Sequence, residues 1–180
     1  MATLPLVQSS ASLLTVEEYL RSVYETDCDY VDGELEERNV GEYDHAFLQT
    51  ILVMIFTVNR EKWGVRALTE LRTRVSGSRY RVPDLSVLRK DAPREQILTH
   101  PPLIAIEILS PEDRFRHMLQ KIDDYLDFGV ENIWILDPAE RKAWTASRSG
   151  LHLAQNDELT VPGTPIRIVL SEVFDEVQKG

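Results

Sequence analysis

"RYRVPDLSVLRKDAPREQILTHPPLIAIEILSPEDRF", from Arg79 to Phe115, decides how the chain is read, because each of its two apolar segments carries one acid. "LIAIEIL", Leu103 to Leu109, is nearly all apolar and β-branched, as expected of a central strand covered on both faces. Side chains alternate along a strand, so Glu107 shares a face with Ala105 and Leu109. A buried carboxylate without compensation is costly, so Glu107 needs a cation, a set of hydrogen bonds or a shifted pKa. Asp84, behind Pro83 and ahead of "LSVL", poses the same problem. Two solutions stand open at this point. One is a structural ion pair with Arg or Lys; the other is a divalent cation such as Mg²⁺ or Mn²⁺ shared by both carboxylates, since hard cations take oxygen ligands and keep several waters.

Working outward, "WGVRALTELRTRV" and "YRVPDLSVLR" alternate apolar and polar residues around Ser76-Gly77-Ser78 and read as two strands of one hairpin. Downstream, Phe115, Met118, Leu119, Ile122, Tyr125 and Leu126 recur at helical spacing, and Gly129 ends that helix. Ser110 or Pro111 stands near its cap, where Glu112 and Asp113 favour the helix dipole. "NIWILD" is a buried strand, "RKAWTAS", "GLHLAQ" and "PIRIVL" are later strands, and "SEVFDEV" is a terminal helix. Upstream, Thr15 with Glu18 has capping-box spacing and predicts a helix from Val16 to about Tyr24. "DYVDGELEE" predicts a hairpin turning at Asp32-Gly33. Phe47, Leu48, Ile51, Met54, Ile55 and Val58 line one face of a helix from Tyr43 to about Lys62. The order is that of an α/β layer fold, a mixed central β-sheet flanked by helices, with an N-terminal helix and hairpin. One domain over residues 1–180 is expected, with 1–14 a loosely ordered lead-in.

The composition, 43% hydrophobic and 28% charged over 180 residues, is that of a soluble chain with one substantial core. No apolar run approaches the roughly 20 residues of a membrane helix, and "MATLPLVQSSASLL" lacks the basic start of a secretory signal. A cytoplasmic location is expected. Cys28 is the single cysteine and excludes an internal disulfide or a multi-cysteine metal site. There is no Gly-x-Ser-x-Gly elbow, glycine-rich phosphate loop or zinc spacing. The net charge of −10 argues against a nucleic-acid partner, yet ten basic residues face four acids between Arg60 and Arg94. Such asymmetry fits either a binding face on an acidic body or a well-solvated pair of strands.

"RVPDLSVL", "PPLIAIEILSPEDR" and "KIDDYLDFGVENIWILDP" together resemble a bacterial family of restriction-endonuclease-like proteins, abundant in cyanobacteria and long carried as a domain of unknown function. The family lies within the PD-(D/E)xK nuclease superfamily, and the resemblance runs from about "YVDGELEE" to "LDPAERKAW". It implies a restriction-endonuclease-like fold in which Asp84 is the "PD" metal ligand and Glu107 the acid of the "ExK" element. Two residues on stands Leu109, where that element has lysine. The family's lysine stands on the following helix, and Lys121 matches it; helical spacing sets Lys121 beside Met118 and Tyr125. Lys90, with the strand parity of Asp84, is a second candidate. Arg114 lies on the helix edge of Lys121, two turns earlier.

The resemblance adds His45 of "GEYDHAFLQ" and Glu34 of "VDGELEE" to the site, with Glu70 a weaker addition. It implies a metal-dependent endonuclease that hydrolyses phosphodiester bonds in DNA. Mg²⁺ or Mn²⁺ would sit on Asp84, Glu107 and the Ile108 carbonyl, and the Arg60–Arg94 segment would hold the phosphate backbone. A homodimer would cut both strands. The rival reading is a nuclease-fold binding or structural module, dimeric and without catalysis, favoured by Leu109 and by the acidity of the chain.

Overall fold

In the computed structural model, which describes residues 13–24, 28–38, 42–111 and 115–179, the alternation read in "LIAIEIL" is realised as a strand buried along its whole length. The elements in chain order are α1 (Val16–Arg21), β1 (Cys28–Val31), β2 (Glu34–Glu37), α2 (Tyr43–Val58), α3 (Arg60–Trp63), β3 (Val65–Thr69), β4 (Thr73–Arg74), β5 (Arg79–Arg81) and β6 (Leu85–Arg89). They continue as β7 (Ile104–Ile108), α4 (Phe115–Phe128), β8 (Ile133–Asp137), β9 (Lys142–Ser147), β10 (Gly150–Leu153), β11 (Glu158–Thr160), β12 (Arg167–Val169) and α5 (Leu170–Lys179).

A six-stranded sheet runs β10-β9-β8-β7-β6-β3, parallel only between β7 and β8. Ile104, Ile106 and Ile108 of β7 face Leu48, Leu52 and Phe56 of α2 and Val173 and Phe174 of α5. Ala105 faces the opposite layer, where Met118, Ile122 and Tyr125 of α4 cover the sheet. Helices thus lie on both faces, and Glu107 points toward α4. Gly129, at φ 98, ends α4 in a conformation that glycine adopts without penalty.

A second, antiparallel sheet runs β2-β1-β5-β4. Asp32 and Gly33, both at positive φ, make the turn of its first hairpin as the sequence predicts. The Thr15–Glu18 capping box starts α1, and Tyr19 packs with Tyr30 and Tyr80 to seat α1 on this sheet.

The stretch read as one long hairpin is four strands in two sheets. β4 and β5 do pair across Ser76-Gly77-Ser78, but β3 and β6 pair with each other in the large sheet. Two corners divide them: Glu70 sits at φ 52, and Pro83, lacking an N–H, cannot continue a ladder. At Pro83 the apolar parity shifts, from Tyr80 and Val82 to Leu85 and Val87, a slip that marks the corner and that reading "YRVPDLSVLR" as one strand passes over. The helix read from Tyr43 to Lys62 breaks at Asn59, whose side-chain amide donates to the Ile55 carbonyl at 2.9 Å, and α3 follows as a separate turn. α1 ends at Arg21, short of Tyr24, and β11 had no counterpart in the sequence reading. Glu112, Asp113 and Arg114 lie outside the described residues, as do residues 1–12 of the lead-in expected over 1–14. Among the described residues no helix is long and apolar enough to cross a membrane.

Candidate active site

β6 and β7 run antiparallel with Leu85 opposite Ile106, so Asp84, one step before Leu85, comes alongside Glu107. The Ile108 N–H donates to Asp84 Oδ2 at 2.7 Å and ties the two strands together at that point. Arg38, just past β2, donates to Asp84 Oδ1 at 2.7 Å, and His45 Nε2 of α2 lies 3.3 Å from Oδ2. On the other strand, Lys121 Nζ donates to Glu107 Oε2 at 3.1 Å and the Tyr125 hydroxyl to Oε1 at 2.5 Å. Residues 121 and 125 are one helical turn apart, so α4 presents both donors to one carboxylate.

Behind Lys121 stands Asp29 of β1, with Oδ2 at 3.6 Å from Nζ. Asp29 Oδ1 accepts the Val82 N–H at 2.8 Å, and Oδ2 accepts from Arg81 Nη1 at 3.1 Å. Arg81, fully buried, also donates to Glu36 at 2.5 Å and to Asp124 of α4 at 2.7 Å. The site therefore forms where the small sheet meets the large one.

Burial alone would push the Asp84 carboxyl up, but the His45 hydrogen bond and the charges of Lys121 and Arg38 hold it below the usual aspartate range. Glu107 goes the other way: burial raises it, the Asp84 charge adds to the rise, and Lys121 only partly opposes it. Burial works against the Lys121 ammonium, yet Asp29, Glu107 and Asp84 keep it protonated well beyond its usual range.

A cleft of about 510 Å³ opens over these groups. Six carboxylates line it, those of Asp29, Glu34, Glu36, Glu37, Asp84 and Glu107, against the cations Arg38 and Lys121. Among the described residues no group of three or more His, Cys, Asp or Glu side chains is arranged to hold a metal ion. Asp84, Glu107 and the backbone at Ile108 nevertheless offer oxygen donors beside an excess of negative charge. That set fits a hard cation such as Mg²⁺, which binds through one or two carboxylates and keeps several waters.

The chain matches the model of the family described as "Uma2: Putative restriction endonuclease" over residues 16–171. It is a member of the Uma2 family. A solved structure described as a putative nuclease belonging to DUF820, from Anabaena variabilis, shares the fold of this Uma2 protein, with a TM-score of 0.79 and 24% identity over 91% of this chain and 99% of that one. A cryo-EM structure of a DrdV–DNA complex aligns at a TM-score of 0.43 and 14% identity, over 76% of this chain and 12% of that one, a likeness too slight to bear on function. No curated protein matches the chain.

Of the residues singled out in the Uma2 sequence, Asp84, Glu107, Lys121 and His45 converge. Glu34 is exposed on the cleft rim. Glu70 stands 3.7 Å from Arg38 and is not among the residues that line the cleft. Lys90 pairs instead with Glu61, and at about 3.3 Å per residue along β6 it lies roughly 20 Å beyond Asp84. Arg89, five residues along, lies about 16 Å away by the same rise, while Arg79 and Arg81 are engaged with Asp32, Asp124, Asp29 and Glu36. The basic stretch is thus not one surface. Leu109, where a lysine would stand, lines an apolar cavity of about 480 Å³ with Met118, Ile135 and Trp144, and the ammonium arrives from α4.

Asp29, Arg38, Arg81 and Tyr125 were not read from the sequence as site residues. Tyr125 carries a direct expectation. Tyr125→Phe keeps the ring within the α4 stripe and leaves buried Glu107 Oε1 without its donor, so it is expected to cost about 1–3 kcal/mol in urea unfolding. Unchanged stability would show that the hydroxyl does not support Glu107.

Proposed function

We propose that this Uma2 protein is a metal-dependent endonuclease that hydrolyses phosphodiester bonds in DNA. The observation that carries the reading is the convergence of Asp84, Glu107 and Lys121 on one acid-rich cleft, with Lys121 Nζ 3.1 Å from Glu107 and Asp84 held by the Ile108 N–H at 2.7 Å. Asp84, Glu107 and the Ile108 carbonyl would hold Mg²⁺ or Mn²⁺, which when bound supplies Lewis-acid polarisation and a water of lowered pKa. Lys121, kept protonated by its acids, cannot accept a proton; it serves as a donor to the charge that develops on the phosphate oxygens. Tyr125 and Lys121 fix both oxygens of Glu107, and His45 with the Ile108 N–H fixes Asp84, so both carboxylates are set before substrate arrives. Glu34, on the rim, is assigned a part in the outer shell of the cation. A homodimer, one site for each strand of a duplex, belongs to the same proposal.

The test is supercoiled plasmid incubated with the protein in Mg²⁺ or Mn²⁺. Nicking is expected in wild type and is expected to vanish with EDTA or in Asp84→Asn. Intact plasmid with wild type in both metals would favour the second reading, a non-catalytic module, which Leu109 in place of the strand lysine favours.

A further inference from the structure

All four oxygens of the Asp84–Glu107 pair already have a donor. Three of these donors belong to the framework: the Ile108 amide of β7, and Lys121 and Tyr125, which α4 presents from one face. Arg38 differs. It comes from the segment just past β2 to donate to Asp84 Oδ1, and a second acid, half-exposed Glu70, lies 3.7 Å from its Nη1. Its guanidinium therefore has another acid to turn to when it leaves Asp84.

Resting on the reading that Asp84 and Glu107 hold a divalent cation, we infer that Arg38 is a displaceable counter-cation of Asp84. A guanidinium and a metal ion cannot occupy Oδ1 together, because like charges at one oxygen repel strongly in a partly desolvated cleft. Without metal, Arg38 neutralises Asp84. When metal enters, Arg38 swings toward half-exposed Glu70, where it meets the substrate phosphate as a planar two-pronged donor. The coupling is reciprocal: whatever holds Arg38 on Asp84 weakens metal binding by the same factor by which metal weakens the Arg38 contact.

The exchange is tested by Mn²⁺ titration calorimetry on the whole chain as wild type, Arg38→Gln and Arg38→Lys. Arg38→Gln is expected to bind Mn²⁺ about tenfold more tightly than wild type, within the usual range of such couplings. Arg38→Lys, which keeps a cation within reach of Oδ1, is expected to stay near wild type. Equal or weaker binding by Arg38→Gln, with wild type binding normally, overturns the exchange and leaves the nuclease reading standing. Failure of every variant to bind Mn²⁺ removes the cation from that reading and overturns the exchange with it. A second measurement needs no variant: in isotope-labelled wild type, the Arg38 Nε–H resonance is expected to shift along the Mg²⁺ binding curve. A resonance that stays fixed while Mg²⁺ binds overturns the inference.

Discussion

Arg81→Met is expected to destabilise this protein by about 3–5 kcal/mol, the cost of removing one partner from a buried ionic network. Arg81 is fully buried on β5 and bridges Asp29 of β1, Glu36 of β2 and Asp124 of α4. Burial alone would weaken its hold on the proton, yet the three acids keep the guanidinium above its ordinary range. Methionine fills similar space but strips the Arg81 hydrogen bonds from Asp29 and Asp124, both buried, so that the nearest remaining cations are Lys121 at 3.6 Å from Asp29 and Arg79 at 2.8 Å from Asp124. The loss matters more than the worth of any one pair, because Arg81 Nη2 finds no partner among the described residues and the intact network is itself imperfectly satisfied. Urea unfolding at neutral pH measures the effect. A change below about 1 kcal/mol, the scale of an exposed pair, would show that the acids find other partners.

That network marks the limit of what the sequence discloses. The parity of Glu107 with Ala105, its need for partners and the reach of Lys121 from α4 all follow from strand and helix periods, which are local. Glu107 shows all three kinds of compensation, a cation, a hydrogen bond and a pKa raised by burial. Arg81 could not be read, because an Arg alternating with apolar residues looks the same on a solvated strand as in a buried cross-sheet network. What buries it is the pairing of β1 with β5, elements separated by about fifty residues, and the corners at Glu70 and Pro83 that lift β4 and β5 out of the large sheet. Asp29 stayed hidden for the same reason, lying between Cys28 and Tyr30 as an apparently ordinary strand acid. In the hairpin, Glu34 beside the turn stays at the rim while Glu36, two residues on, reaches Arg81.

Lys121→Ala is expected to lower plasmid cleavage by about 10²–10³-fold, the usual loss when one charged donor to a developing oxyanion is removed. The substitution does more than delete a donor. Lys121 is the main group opposing the burial of Glu107, so without it the Glu107 carboxyl rises further above the ordinary glutamate value. Cleavage on this reading requires ionised Glu107, which is present only above its pKa, so the acid limb of the rate profile is expected to move to higher pH in Lys121→Ala. A purely structural defect would scale the rate down without moving that limb. Lys121→Arg keeps the charge and thus most of the pH position, but its larger planar head, beside both Glu107 and Asp29, is expected to recover only part of the rate. Cleavage by Lys121→Ala within about threefold of wild type, with an unshifted profile, would mean that α4 does not supply what Leu109 withholds from β7. The catalytic reading of Asp84 and Glu107 would then lose the cation that the phosphate needs.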